Sequence, residues 1–212
     1  PAPETISALN PQSVDFDLSG DGQWLVVVGE TASASMLVHV FEFDEEINQF
    51  IQYGQDILFG TNEVGKTSFY DVDIEETGRY LIVAQVGQAE FLGLIRVYQR
   101  GINQWVQVGD SLTSQIQGDG FGQDVEIVVA APQGVMVGFS APYQNSVYVY
   151  TLGPFNNWVL YGSPIEAAAI LTNGNDSEFG FDIAFSSSGT RLVIGAPSYQ
   201  NGSGAVQALS FV

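Results

Sequence analysis

The chain has 212 residues, 24 of them Asp or Glu and only 5 Lys or Arg, giving a formal net charge of −19. Affinity for nucleic acid and for anionic membrane surfaces comes from Lys and Arg, so neither is expected as a partner. Cysteine is absent, which removes disulfides and thiolate metal sites, and no apolar run reaches the ~18 residues that would make the chain membrane-spanning.

In chain order, the first residues, PAPETISALN, begin without methionine, and a processed N-terminus is the expectation. From residue 13 onward one unit recurs. A glycine turn leads into an apolar run four times: Gly22 into Trp24–Val28, Gly78 into Tyr80–Val83, Gly134 into Val135–Val137, and Gly189 into Arg191–Ile194. These glycines are spaced by 56, 56 and 55 residues. Before each turn stands an acidic strand, VDFDLS, YDVDIE, QDVEIV or FDIAFS. After each run comes a second alternating strand at Val38–Phe41, Ile95–Tyr98, Val147–Tyr150 and Val206–Leu209. A fourth segment follows in three units: FIQYGQDI (50–57), WVQVGDSL (105–112) and WVLYGSPI (158–165).

Period-2 alternation between turn residues specifies strands, and four strands in a repeat of roughly 40–55 residues specify a propeller blade. The expected fold is therefore all-β: one β-propeller-like domain over residues 1–212, with four repeats of about four antiparallel strands each. The units run over about 13–67, 68–118, 119–174 and 175–212, with inner strands expected near 24–28, 81–84, 135–139 and 191–195. The last unit ends after its third strand. Within residues 1–12, the segment ETISALN (4–10) is a candidate closing strand for that bare edge, the alternative being a strand from a partner.

Several residues invite a chemical reading. Asp17, Ser19 and Asp21 have the 1-3-5 spacing of a calcium loop followed by Gly22, but the downstream acidic ligand is missing. A hairpin turn with Asp as turn former competes with a Ca²⁺ site there, and no other cofactor is expected. His39 is the single histidine and shares its slot with Arg96, Tyr148 and Gln207, which predicts a solvent-facing position. Asp15, Asp71, Asp124 and Asp182 recur once per unit, so a structural bond to backbone is favoured over carboxylate catalysis. Phe50, Trp105 and Trp158 also recur, which suits packing between blades. Asn175 and Asn201 begin N-x-S sequons in turn-like stretches, candidate glycosylation sites in a secreted protein.

The blocks FGFDIAFSSSGTRLVIGAP (179–197) and WVQVGDSL (105–112) resemble the integrin-α-like (FG-GAP-like) propeller repeats, in the W-x-x-x-G branch common in surface proteins of algae and other protists. The resemblance covers roughly residues 13–212, with Phe50 replacing the Trp of the first unit. It implies a β-propeller with interaction or adhesion roles and no enzyme activity. The resulting expectation is a structural, adhesive or protein–protein interaction module, extracellular or on a cell surface, acting through a protein partner or self-assembly. A Ca²⁺- or glycan-binding lectin-like module and a lumenal accessory subunit of a larger complex are the alternatives.

Overall fold

The computed structural model describes residues 9–31, 35–61, 69–87, 92–171 and 177–211. Its strands form four antiparallel sheets in chain order. The first holds β1 (Leu9–Leu18), β2 (Trp24–Thr31), β3 (Ser35–Asp44) and β4 (Gln49–Gln52), with β5 (Ile57–Thr61) pairing back on β3. The second holds β6 (Tyr70–Ile74), β7 (Tyr80–Gln85), β8 (Leu94–Arg100) and β9 (Trp105–Thr113). The third holds β10 (Val125–Ala130), β11 (Gly134–Ala141), β12 (Ser146–Leu152) and β13 (Trp158–Leu160), with β14 (Ile165–Glu166) returning to β12. The fourth has three strands, β15 (Ile183–Phe185), β16 (Arg191–Ala196) and β17 (Ala205–Ser210). Each sheet matches one sequence unit, as the glycine spacing predicts.

Alternation along each strand divides every sheet into two faces. In the first sheet Asp17 stands opposite Val26 and Asp15 opposite Val28, and these residues share the face that meets the second sheet. We call this the trailing face. The leading face of the second sheet, with Val72, Ile74, Leu81, Val83 and Tyr98, packs against it in one apolar cluster. Two further clusters of the same build join the second sheet to the third and the third to the fourth. No sheet buries its faces alone, so the core consists of these three interfaces, as in other stacked repeats.

The strands nearest the axis differ from expectation. The first strands, β1, β6, β10 and β15, pack on one another in succession, and the apolar runs sit one strand further out. The apolar runs are the most buried because a sheet neighbour flanks them on each side, and burial alone does not mark the axis. Of the candidate closing strand, only Leu9 and Asn10 are described; both belong to β1, and Leu9 pairs with Thr31 of β2 in the first sheet. Residues 1–8 lie outside the described residues.

Two glycines show why the turn positions are fixed. Gly78 has φ +64°, and a Cβ there would stand 2.1 Å from Cδ1 of Trp24 in the preceding sheet. Gly109, of the W-x-x-x-G segment, has φ +69°, and a Cβ would stand 2.3 Å from Nε1 of Trp158. Both positions combine a left-handed backbone with an indole lying on it, and only glycine meets both demands.

Candidate functional site: the axial carboxylate ladder

The acidic strands of the four units line the axis, and their carboxylates point from each sheet to the next. Asp15 Oδ2 accepts the backbone N–H of Val72 at 3.2 Å, and Asp17 Oδ2 accepts that of Ile74 at 2.9 Å. One sheet further, Asp71 accepts from Val125 and Asp73 from Ile127, both at 2.6 Å. Asp124 then accepts from Ile183, and Glu126 from Phe185 at 3.3 Å. Adjacent first strands are too far apart to form a backbone ladder of their own. The side-chain carboxylate bridges the gap and pairs donors that would otherwise be buried unmade. In the first three units the recurrent Asp, at 15, 71 and 124, thus has the structural use expected from its recurrence, with strand backbone as its partner.

The ladder concentrates negative charge in a poorly solvated place. Burial pushes Asp71, Asp73 and Asp124 well above the usual carboxylate range, and neighbouring carboxylates add to the rise. Burial also raises Glu126, to about 7. At one mouth of the axis, Asp17, Asp73, Glu126, Thr77, Arg79 and Ser186 line a cavity of about 620 Å³. Carboxyls with raised pKa values facing a cavity are the usual marks of a functional site.

The calcium-loop candidates do not converge. Asp17 is committed to Ile74 on the trailing face. Asp21 Oδ1 instead closes its own turn, accepting from Ser19 Oγ at 2.6 Å and from the backbone N–H of Gln23 at 2.9 Å. Ser19 Oγ in turn accepts from the N–H of Trp24 at 3.0 Å. The residues form a hairpin turn, and among the described residues no group of three or more His, Cys, Asp or Glu side chains is arranged to hold a metal.

His39 departs from its expected exposure. It is buried, with Nδ1 2.9 Å from Oδ1 of Asp56, and Nε2 has no hydrogen-bond partner among the described residues. Its slot lies on the leading face, which in later units is turned toward the preceding sheet. From the same slot Arg96 donates from Nη1 to the carbonyl of Phe59 at 2.6 Å and holds Cζ over that ring, 4.9 Å from its centroid. Two of the recurrent aromatics meet a neighbouring blade as expected, Trp105 buried edge-on to Trp24 at 6.5 Å and the Trp158 indole lying against Gly109, whereas Phe50 meets Phe43 of its own sheet edge-on at 5.1 Å. Asn201 stands exposed in a turn with φ +58°, whereas Asn175 lies outside the described residues. The ladder's span from sheet to sheet and the cavity at its mouth were missed in the sequence.

No family model and no curated protein matches the chain. Solved structures do. A periplasmic gluconolactonase of Pseudomonas aeruginosa, PpgL, is 15% identical with a TM-score of 0.54, the match covering 98% of this chain and 58% of that one. The β-propeller domain of Cps50 (Swd1) from Myceliophteria thermophila is 12% identical with a TM-score of 0.53, covering 93% and 52%. The fold is β-propeller-like, and the chain spans a little over half the length of these two. The expectation that the chain is no enzyme is corrected by the first of them: this fold is shared with a gluconolactonase, so neither fold nor repeat pattern excludes catalysis. Among the described residues no helix is long and apolar enough to cross a membrane.

Proposed function

We propose that the chain is a protein–protein interaction module of an extracellular or surface assembly, joined to its partners through the two outermost blade faces. One observation carries this reading. Phe16 in β1 is 68% exposed, whereas its equivalents Val72, Val125 and Ile183 are 5%, 2% and 3% exposed against a preceding sheet. A large apolar side chain in a slot that is buried three times over indicates a surface meant to be covered. The likeness of residues 179–197 to integrin-α-like repeats and the exposed sequon at Asn201 support a place outside the cytosol. The test is to size the protein in extracts of its source. Native protein should run in an assembly that Phe16→Glu and Val206→Lys variants, with unchanged melting, fail to join. Elution of the native protein as a free monomer would refute the reading.

A second reading rests on Glu126. A carboxyl with a pKa of about 7, facing a cavity that also holds Arg79 and Ser186, has the properties of a general base at neutral pH. Together with the likeness to a gluconolactonase, it supports hydrolysis of a sugar lactone at the axis. Lactone hydrolysis by the wild type, lost in Glu126→Gln, is the expected result; no turnover above background would dismiss it.

A further inference from the structure

We propose that the cleft between the second and third blades binds a neutral saccharide, one sugar ring lying on the rings of Tyr148 and Tyr150 and its hydroxyls meeting Asn145, Asp119 and Glu166. The cleft shares no lining residue with the axial cavity and lies away from the outermost faces, so it stands apart from both readings above.

The cleft lies where the repeat leaves out a plug. Between the first and second blades, Phe59 stands two residues past Ile57 and is 2% exposed. Arg96 of the second blade donates to its carbonyl and sits over its ring. In the next unit Leu112 takes the place of Ile57, pairing with Ile95 as Ile57 pairs with Val38. Two residues further on stands Ser114 in place of Phe59, and Tyr148 occupies the slot of Arg96. A hydroxyl thus replaces a phenyl ring, and the side chain opposite has no charged end to reach across. The outcome is a cavity of about 550 Å³, walled by the end of β9, the loop after it and the leading face of the third sheet. Its volume is that of a small-ligand site, far more than a structural water needs.

The lining selects the ligand. Tyr148 and Tyr150 lie nearly parallel to Phe139, with centroids 5.4 and 5.5 Å away and planes tilted by 20° and 18°, and all three line the cavity. Rings so aligned make a platform, whereas a cage for an organic cation needs rings set around it at wide angles. The C–H face of a sugar ring fits a platform, its weakly positive hydrogens meeting the negative ring faces. Asn145, at φ +53°, commits its Oδ1 to the N–H and Oγ of Ser177 and the N–H of Phe179, at 3.1, 2.9 and 3.2 Å. Its Nδ2 hydrogens remain to donate. Asp119, 4% exposed, is fixed by Ser114 Oγ and by the N–H of Phe121 at 2.9 Å, and each of its oxygens keeps a second lone pair. Glu166 adds another carboxylate. No Lys, Arg or His stands among the described lining residues, so an anionic ligand would meet acceptors of its own sign. Carboxylates only accept, so the ligand must bring donors. A saccharide brings them on most of its carbons.

The test titrates purified protein with free neutral mono- and disaccharides by calorimetry, beside an array of immobilised neutral glycans, with choline and a sugar phosphate as controls. Saturable binding of one saccharide class is expected. Tyr148→Ala should weaken it about tenfold or more, the loss of one stacked ring, and Tyr148→Phe should keep most of it. Glu166→Gln, at an exposed position, should weaken it with melting unchanged. Should Tyr148→Ala not fold, Ala168→Trp at an exposed lining position narrows the cavity instead and should abolish binding. Binding of free sugar supports a soluble ligand, and binding on the array alone supports a glycan carried by another molecule; either upholds the site. Three results overturn it: no saccharide bound by the wild type, choline or the sugar phosphate bound in its place, or sugar binding untouched by Tyr148→Ala and Ala168→Trp.

Discussion

Asp71 reaches out of its own sheet to accept the backbone N–H of Val125 at 2.6 Å, and with it ties the second blade to the third. The same acid is held well above the usual carboxylate range by its burial and by the charge of Asp124. One group thus joins two blades and, by its raised pKa, holds a proton between them at neutral pH.

Stability should fall as pH rises. Unfolded carboxylates titrate near pH ~4, while burial raises Asp71, Asp73, Asp124 and Glu126 in the folded protein, Glu126 to about 7. Between those limits the folded state binds more protons than the unfolded chain, so the slope of stability against pH is negative there. Thermal melts should be highest near pH ~4–5 and decline through neutrality. Asp71→Asn keeps an acceptor for Val125 and removes a titration; it should melt above wild type in alkaline buffer and level with it in acid. Melting that climbs toward neutral pH would refute this account of the ladder.

Gly109→Ala and Gly134→Ala form a matched pair. Both glycines have positive φ, +69° and +80°, so each substitution carries the left-handed strain of roughly 1–2 kcal/mol. Only at Gly109 does the new methyl meet an indole, that of Trp158; nothing lies within 4 Å at Gly134. Urea denaturation should show Gly109→Ala costing about 1–3 kcal/mol more, the usual range for overpacking. Equal costs would mean that Trp158 moves aside freely.

Chelator should leave the melt unchanged. Asp17 spends its carboxylate on Ile74 and Asp21 spends its own on Ser19 and Gln23, so no shared oxygen set remains. Asp21→Ala should cost about 1 kcal/mol through the lost turn bonds, equally with and without Ca²⁺. A melting temperature that rises with added Ca²⁺ would restore the metal reading of this turn.

Arg96→Lys should not behave as a conservative change. The guanidinium both donates to the Phe59 carbonyl and sits over the Phe59 ring, and an ammonium cannot do the two together. A loss of about 1–3 kcal/mol in urea midpoint analysis is expected; a shift under about 0.5 kcal/mol would place it with ordinary surface substitutions.

The repeat was legible because Gly22, Gly78, Gly134 and Gly189 each mark a hairpin whose flanking strands must alternate. What lay beyond reach was the relation between units. Alternation puts Asp15 and Asp17 on one face of a strand but is silent on what lies opposite, so their bonds to Val72 and Ile74 could be read only from coordinates. His39 misled for a related reason: a slot shared by His, Arg, Tyr and Gln suggests water, whereas in the second unit Arg96 uses it to reach the preceding blade and His39 itself is buried beside Asp56. The calcium spacing crosses from strand into turn at Ser19, so Asp17 bonds to Ile74 of the next sheet while Asp21 bonds within its own turn, a division that spacing does not reveal.

The glycines of the fourth segments also govern how the protein should keep in concentrated solution. Gly54, φ +76°, falls in the gap between β4 and β5; Gly162, φ +82°, separates β13 from β14; and around Gly109 the pairing of β9 with β8 slips. An outer rim so interrupted offers a neighbouring molecule only a few consecutive main-chain partners, too few to seed the continuous pairing from which fibrils grow. Among the described residues the outermost strand of the fourth sheet is β17, which runs six residues without a break. If stored protein ever gels, growth should start at β17, and a proline or lysine placed there should keep the solution clear.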